Sequence, residues 1–224
     1  MKLFIYCGGG LGREIYDVCN RFNEVYLKYE EINFLDDSLP TRGNFFINNI
    51  PAYNKDSLSF QKILGSNDEF LIANGEPSVR KNLFKSLSLD KKKFAKVICP
   101  SSIVSPSARL SNGIIISPQC SVQSQSRLGK NIFLNTQSVI GHNAKIGAHT
   151  VVSSKVNIGG NVLIGLSSYI GMGAQIKEGV RIGSNTIIGM GSVVYNDIPD
   201  NMIALGNPAR PMKKNLSKKV FKKI

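Results

Sequence analysis

Every sixth residue from Val104 to Val194 is aliphatic, sixteen positions in a row without an exception. The series opens Val104, Leu110, Ile116, Val122 and closes Ile176, Ile182, Ile188, Val194. Four residues after each comes a small or β-branched residue, from Ala108, Ile114 and Cys120 to Thr186, Ser192 and Ile198. A glycine directly follows the aliphatic residue eight times. A period of six matches neither the 3.6 of a helix nor the alternation of an ordinary strand. It fits short strands joined by tight corners. The aliphatic side chain points into a narrow interior, and the small residue fills the corner. Glycine and asparagine (Asn131, Asn143, Asn161, Asn185) tolerate the positive φ that such corners need. The pattern specifies a parallel β-helix, a quasi-one-dimensional solenoid.

The first part of the chain reads differently. "KLFIYCGGGLGREIYDVCNRF" is an apolar strand, a glycine loop and a helix with Ile15, Val18, Cys19 and Phe22 on one stripe. "INFLDD" is a second strand ending in Asp36 and Asp37. "EFLIANGEPSVRKNLFKSL" is a third strand and an amphipathic helix, and "AKVICP" a fourth strand leading into the solenoid. This alternation predicts a small parallel α/β sheet. Ligands bind such sheets at the carboxyl ends of the strands. The loops at Gly8–Gly12, Asp36–Asp37 and Asn74–Gly75 fall there. The glycine loop has two readings, a tight strand-to-helix turn or a backbone that approaches a phosphate at a helix N-terminus.

The expected division is an α/β domain over 1–98, a β-helix over 99–209 and a basic tail over 210–224. Net charge is +13, but seven of the basic residues lie in 210–224, which has no acid. The body is therefore only mildly basic, which argues against a nucleic-acid groove. In the tail, Leu216, Val220 and Ile224 fall on one helical stripe among lysines. It is a solvated end, or a contact for coenzyme phosphates, or at most a weak peripheral membrane contact. No apolar run reaches the roughly 18 residues of a membrane span, and the N-terminus lacks the features of a signal peptide. The four scattered cysteines suggest neither a zinc site nor a disulfide framework. A reducing cytoplasm is the expected location.

"GGGLGREI", "FLDD", "IANGEPSVRKNL", "SPSARL", the hexapeptides and the closing "ALGNPARPMK" occur in the order seen in the NeuD/PglD-like sugar acetyltransferases. The chain resembles that family over nearly its whole length. The resemblance implies a left-handed β-helix with three hexapeptides per coil. It implies acetyl-CoA as co-substrate, no metal, and a nucleotide-sugar substrate held by the α/β domain. It also implies a homotrimer with active sites between subunits, serving surface polysaccharide or glycoconjugate synthesis. By the same resemblance, Gly9, Gly10, Leu11, Asp36 and Asp37 hold the sugar nucleotide, and Val151, Met172 and Met190 contact acetyl-CoA. Leu11 stands where a histidine is frequent. Alternatives are an O-acetyltransferase for sialic acid-type sugars and a non-catalytic scaffold that binds a sugar nucleotide.

Acetyl transfer to an amine or hydroxyl needs a base near the thioester, and histidine titrates in the useful range. The chain has two histidines, His142 and His149. His142 matches the family's base. Asn143, next to it, stands where an orienting acid is usual, so the ring receives an amide oxygen without a full negative charge. The only acid between Val104 and Val194 is Glu178, two coils away in the same corner column. His149 matches no functional position and reads as a surface residue.

Overall fold

The computed structural model describes residues 1–221. Residues 1–94 form a six-stranded sheet with three helices. Its elements are β1 (Lys2–Tyr6), α1 (Gly10–Tyr26), β2 (Glu31–Leu35), β3 (Phe45–Ile47), β4 (Ile50–Tyr53), α2 (Leu58–Ile63), β5 (Glu69–Ile72), α3 (Pro77–Leu89) and β6 (Lys93–Phe94). The strand order is β3-β4-β2-β1-β5-β6. All pairs are parallel except the β3–β4 hairpin. The hairpin turns on Asn48 and Asn49, both at positive φ, as a two-residue turn requires. The chain runs outward from β1 through β2, then crosses back to β5. The order therefore reverses between β1 and β5.

The solenoid is a left-handed parallel β-helix of two-residue strands. Partners in register are eighteen residues apart, as with Ile115↔Phe133 and Val139↔Asn157, so three hexapeptides make one coil. The strands form three faces. Face I begins at Val97–Ile98, face II at Ile103–Val104 and face III at Arg109–Leu110. In each strand the second residue points inward, and nearly every one is buried. The small column closes the corners: Ser126, Ser138, Ala144, Thr150, Ser168 and Thr186 have no exposed surface. Burying a hydroxyl requires a partner. The Thr150 hydroxyl donates to Gly165 O at 2.9 Å and that of Ser168 to Gly183 O at 2.7 Å.

The first residue of each strand points outward, and the three faces differ there. Face I presents Val97, Ile115, Phe133, Val151 and Tyr169, which pack under α1 as a shared core with the α/β domain. Face II presents Ile103, Ser121, Val139, Asn157, Gln175 and Val193, none of them charged. Face III presents Arg109, Arg127, Lys145, Leu163 and Arg181.

Two expectations change. "AKVICP" is not the fourth strand of the α/β sheet; Val97–Ile98 opens face I, and Lys93–Phe94 is the sheet's last strand. Residues 210–214 are not tail: Ala209–Lys214 pairs antiparallel with Met202–Gly206 on face I. After a turn over 215–218 the chain returns to the α/β domain without forming a helix. Leu216 is 85 % exposed, so the expected stripe is not built there, and Ile224 lies outside the described residues. No helix among the described residues is long and apolar enough to cross a membrane.

Candidate active site

The corner residues at positive φ include Gln125, Asn131, Asn143 and His149. Their side chains run along the axis to the same column one coil away. Asn143 Nδ2 donates to Gln125 Oε1 at 2.9 Å. That contact aims the amide oxygen of Asn143 at the imidazole, where His142 Nδ1 lies 3.0 Å from Oδ1. An amide oxygen only accepts, so the proton sits on Nδ1 and Nε2 keeps its lone pair. The ring lies over Gly160 on the next coil. A Cβ at Gly160 would stand 2.5 Å from His142 Nε2, closer than packing allows. His142 is exposed, and Glu178 makes no hydrogen bond or ion pair to it among the described residues. The corner therefore holds an oriented, solvent-facing imidazole with no carboxylate behind it among the described residues. Gln125 and Gly160 are the residues the motif reading missed. Each lies eighteen residues from its partner, and that interval is the signal for them.

His149 occupies the hexapeptide position of Asn143, not that of His142. It is half-buried between the solenoid and α3, so it is not a surface residue. Its ring meets Phe84 edge-on at 5.3 Å. Asn131 Nδ2 donates to Arg80 O and lies 3.0 Å from His149 Nδ1, so Nδ1 is the acceptor. Burial, reinforced by Arg80, Lys81 and Lys130, lowers its pKa to about 4. Arg80 is fully buried beside it. Its guanidinium donates to the carbonyls of Ile72, Asn74 and Asn131 and to Asn131 Oδ1, bolting α3 to the solenoid. Burial lowers its pKa to about 9, which leaves it a cation at neutral pH.

In the α/β domain the glycine loop follows β1. Gly12 is needed because a Cβ there would meet Cys7 O at 2.1 Å. Above Gly9 and Gly10 the space is open: a Cβ on either would meet nothing within 4 Å. The N–H groups of the first turn of α1 face that space without a side-chain cap. Asp36 is committed to the loop. Its oxygens accept from Gly8 N at 2.7 Å and from the N–H and hydroxyl of Ser38. Burial alone would raise its pKa, but these hydrogen bonds outweigh it and hold the carboxyl below the usual range. Asp37 accepts the Tyr6 hydroxyl at 2.6 Å. Of the two, Asp37 is the more exposed and has an oxygen left for a ligand.

The three expected coenzyme residues separate. Met172 and Met190 stack eighteen residues apart on the corner between faces I and II, 52 % and 79 % exposed. Val151 is 2 % exposed and packs between the domains, so its side chain offers no surface to a coenzyme. His142 lies on the corner between faces II and III, and the α/β domain covers face I. The structure thus brings His142 and Asn143 together, and separately groups Gly9, Gly10, Leu11, Asp36 and Asp37. Within one chain the two groups lie on opposite sides of the solenoid. Among the described residues no three or more metal-binding side chains cluster.

A left-handed hexapeptide solenoid with an oriented corner histidine and an attached α/β domain defines a β-helix acyltransferase. Residues 2–87 match the family described as the PglD N-terminal domain, and residues 161–196 match the bacterial transferase hexapeptide family. In both parts the chain resembles the NeuD/PglD-like sugar acetyltransferases, and it is an acetyl-CoA-dependent sugar acetyltransferase. Among solved structures, it is 29 % identical to the acetyltransferase domain of PglB from Neisseria gonorrhoeae in complex with acetyl coenzyme A. The match covers 94 % of this chain and 98 % of that one, with a TM-score of 0.83. It is 25 % identical to PerB from Caulobacter crescentus in complex with CoA and GDP-perosamine, covering 95 % and 98 %, with a TM-score of 0.84. WeeI from Acinetobacter baumannii is also 25 % identical, covering 95 % and 100 %, with a TM-score of 0.85. No curated protein matches.

Proposed function

We propose that the protein transfers the acetyl group of acetyl-CoA to the amino group of a nucleotide-activated sugar, with His142 as general base. The observation that carries this reading is the chain Gln125–Asn143–His142, which leaves the Nε2 lone pair free at an exposed corner. The amine attacks the thioester carbonyl and loses its proton to Nε2. The tetrahedral intermediate then expels the coenzyme thiolate, which takes that proton back. No acyl-enzyme is needed. The perosamine N-acetyltransferase of Caulobacter crescentus, 25 % identical, was solved with CoA and GDP-perosamine, which supports an amino sugar as acceptor.

The sugar nucleotide lies over Gly9 and Gly10, its phosphates toward the first turn of α1, with Asp37 and Leu11 beside it. Because that loop and His142 lie on opposite sides of one solenoid, the reaction takes place between subunits of a trimer. The uncharged face II suits the three-fold axis. Arg127 and Lys145 of face III line an open groove of about 820 Å³ with Gln125 and Asn143, and they supply cations for coenzyme phosphates. Met172 and Met190 of the neighbouring subunit border the same cleft. A cytoplasmic role in surface polysaccharide or glycoconjugate synthesis follows from such a substrate.

The test is mass spectrometry of products from acetyl-CoA and a panel of nucleotide-linked amino sugars, with sialic acids beside them. One acetyl group gained on an amine is the expected result. Acetyl on a hydroxyl only, or on no member of the panel, overturns the reading.

A further inference from the structure

After the last strand of face I, the chain does not run off into solvent. Asn215 is 4 % exposed and turns the backbone; its N–H donates to Asn201 O at 2.7 Å and its Nδ2 to Asn185 O at 2.9 Å. The following residues reach back to the α/β domain, to the loop after β5. There the carboxylate of Glu76, itself 8 % exposed, accepts the N–H groups of Val220 at 2.8 Å and Phe221 at 3.1 Å. Hydrogen bonds to a charged acceptor are stronger than neutral ones. A nearly buried carboxylate spent on two main-chain amides about 145 residues away marks a docked segment rather than a frayed end.

Its destination is specific. The Phe221 ring meets Tyr169 edge-on at 5.6 Å. A Cβ built on Gly75 would lie 3.5 Å from the Phe221 ring and 3.7 Å from Leu11 Cδ2. Leu11 follows β1 and Gly75 follows β5, so Phe221 sits at the mouth of the crevice where the strand order reverses. That crevice is where open parallel sheets bind ligands. Only part of the ring is used: 59 % of the residue remains exposed, beside the open glycine loop. Leu11, the position where the sequence departs from a histidine, lies with Phe221 against Gly75.

We propose that the segment over 215–221 completes the sugar-nucleotide pocket. In it Phe221 is a specificity-determining wall on which the base or the sugar ring of a nucleoside-diphosphate sugar stacks, and Glu76 holds Phe221 in place. This inference rests on the crevice being the sugar-nucleotide site. The exposed part of the Phe221 ring, beside the glycine loop, supplies a stacking surface for that ligand.

Calorimetric titration of the full-length protein with UDP and with GDP reads binding without turnover. Phe221→Ala weakens the tighter nucleotide about tenfold, within the range for lost base–aromatic stacking. Phe221→Tyr restores it, and Glu76→Gln, which weakens the latch, lies between. In turnover, Phe221→Ala raises KM for the nucleotide sugar by a similar factor and leaves KM for acetyl-CoA within about twofold. Unchanged nucleotide binding in Phe221→Ala overturns the proposal. So does tighter binding, which would make the segment a plug, and so does the absence of UDP and GDP binding to the unaltered protein. Acetylation by the unaltered protein is read separately, so the function and the tail fail independently.

Discussion

His142 and His149 stand on consecutive corners of one coil, and amides hold them in opposite tautomers. Asn143 offers His142 an oxygen, so the proton sits on Nδ1 and Nε2 is free at an exposed corner. Asn131 offers His149 an N–H, so Nδ1 accepts and the ring packs against Phe84 under α3. The first ring presents an unprotonated nitrogen at an exposed corner, as the proposed base requires. The second, among cations and half-buried, is shaped to stay neutral. Tautomer and exposure, set by Asn143 and Gln125 at one ring and by Asn131 and Phe84 at the other, separate the proposed base from a structural histidine within eight residues.

The contrast can be broken most sharply at the rings. His142→Ala lowers kcat by about 10²–10⁴, the share of a positioned general base, and leaves thermal stability unchanged. His149→Ala does the reverse, and steady-state kinetics beside a melting curve checks both. On the architectural side, Arg80→Ala strands buried carbonyls of Ile72, Asn74 and Asn131. It destabilises the protein by about 3–5 kcal/mol in urea unfolding, and Arg80→Lys recovers little because an ammonium lacks the guanidinium fork.

Gly160→Ala sharpens the catalytic side. Its Cβ displaces the His142 ring, and a displacement of about 1 Å costs on the order of 10²-fold in kcat with KM unchanged. His149 gives a pH signature. Its folded pKa is depressed, so below about pH 6.5 the unfolded chain binds a proton that the folded one refuses. Stability therefore falls as pH drops from about 6.5 to about 4 and levels off below, by on the order of 2 kcal/mol. His149→Asn, which tolerates the positive φ, removes His149's share of that slope in denaturation series across the window. The smallest effect is at Asn143. Asn143→Asp, with Gln125 turning its amide to donate, raises kcat several-fold and moves the acid limb of the pH–rate profile upward. An unchanged profile means that the amide does not limit the base.

Much of the solenoid was legible. The inward aliphatic column and the small corner column repeat every six residues because each packs against its own kind one coil on. The glycine loop and the doublet of aspartates were legible as strand-end features, but the division of labour between Asp36 and Asp37 was not. It depends on Gly8 and Ser38 folding back onto one carboxylate. The faces carry a further signal that a six-residue reading averages away. Taken every eighteen residues, the outward positions separate into an apolar series from Val97, an uncharged one from Ile103 and a basic one from Arg109.

The sequence by itself determined the coil. Its contacts join residues at a fixed separation, and a contact that recurs leaves a period. It also singled out His142 as the candidate base, through the resemblance of one hexapeptide to a known family. Only the tertiary structure decided what lies against the coil: which face the α/β domain covers, why Val151 is buried, how Arg80 and His149 brace the junction, and where Phe221 returns. Those contacts occur once each, between residues tens to more than a hundred positions apart. A single contact of that kind has no repeat to announce it, and packing alone selects it.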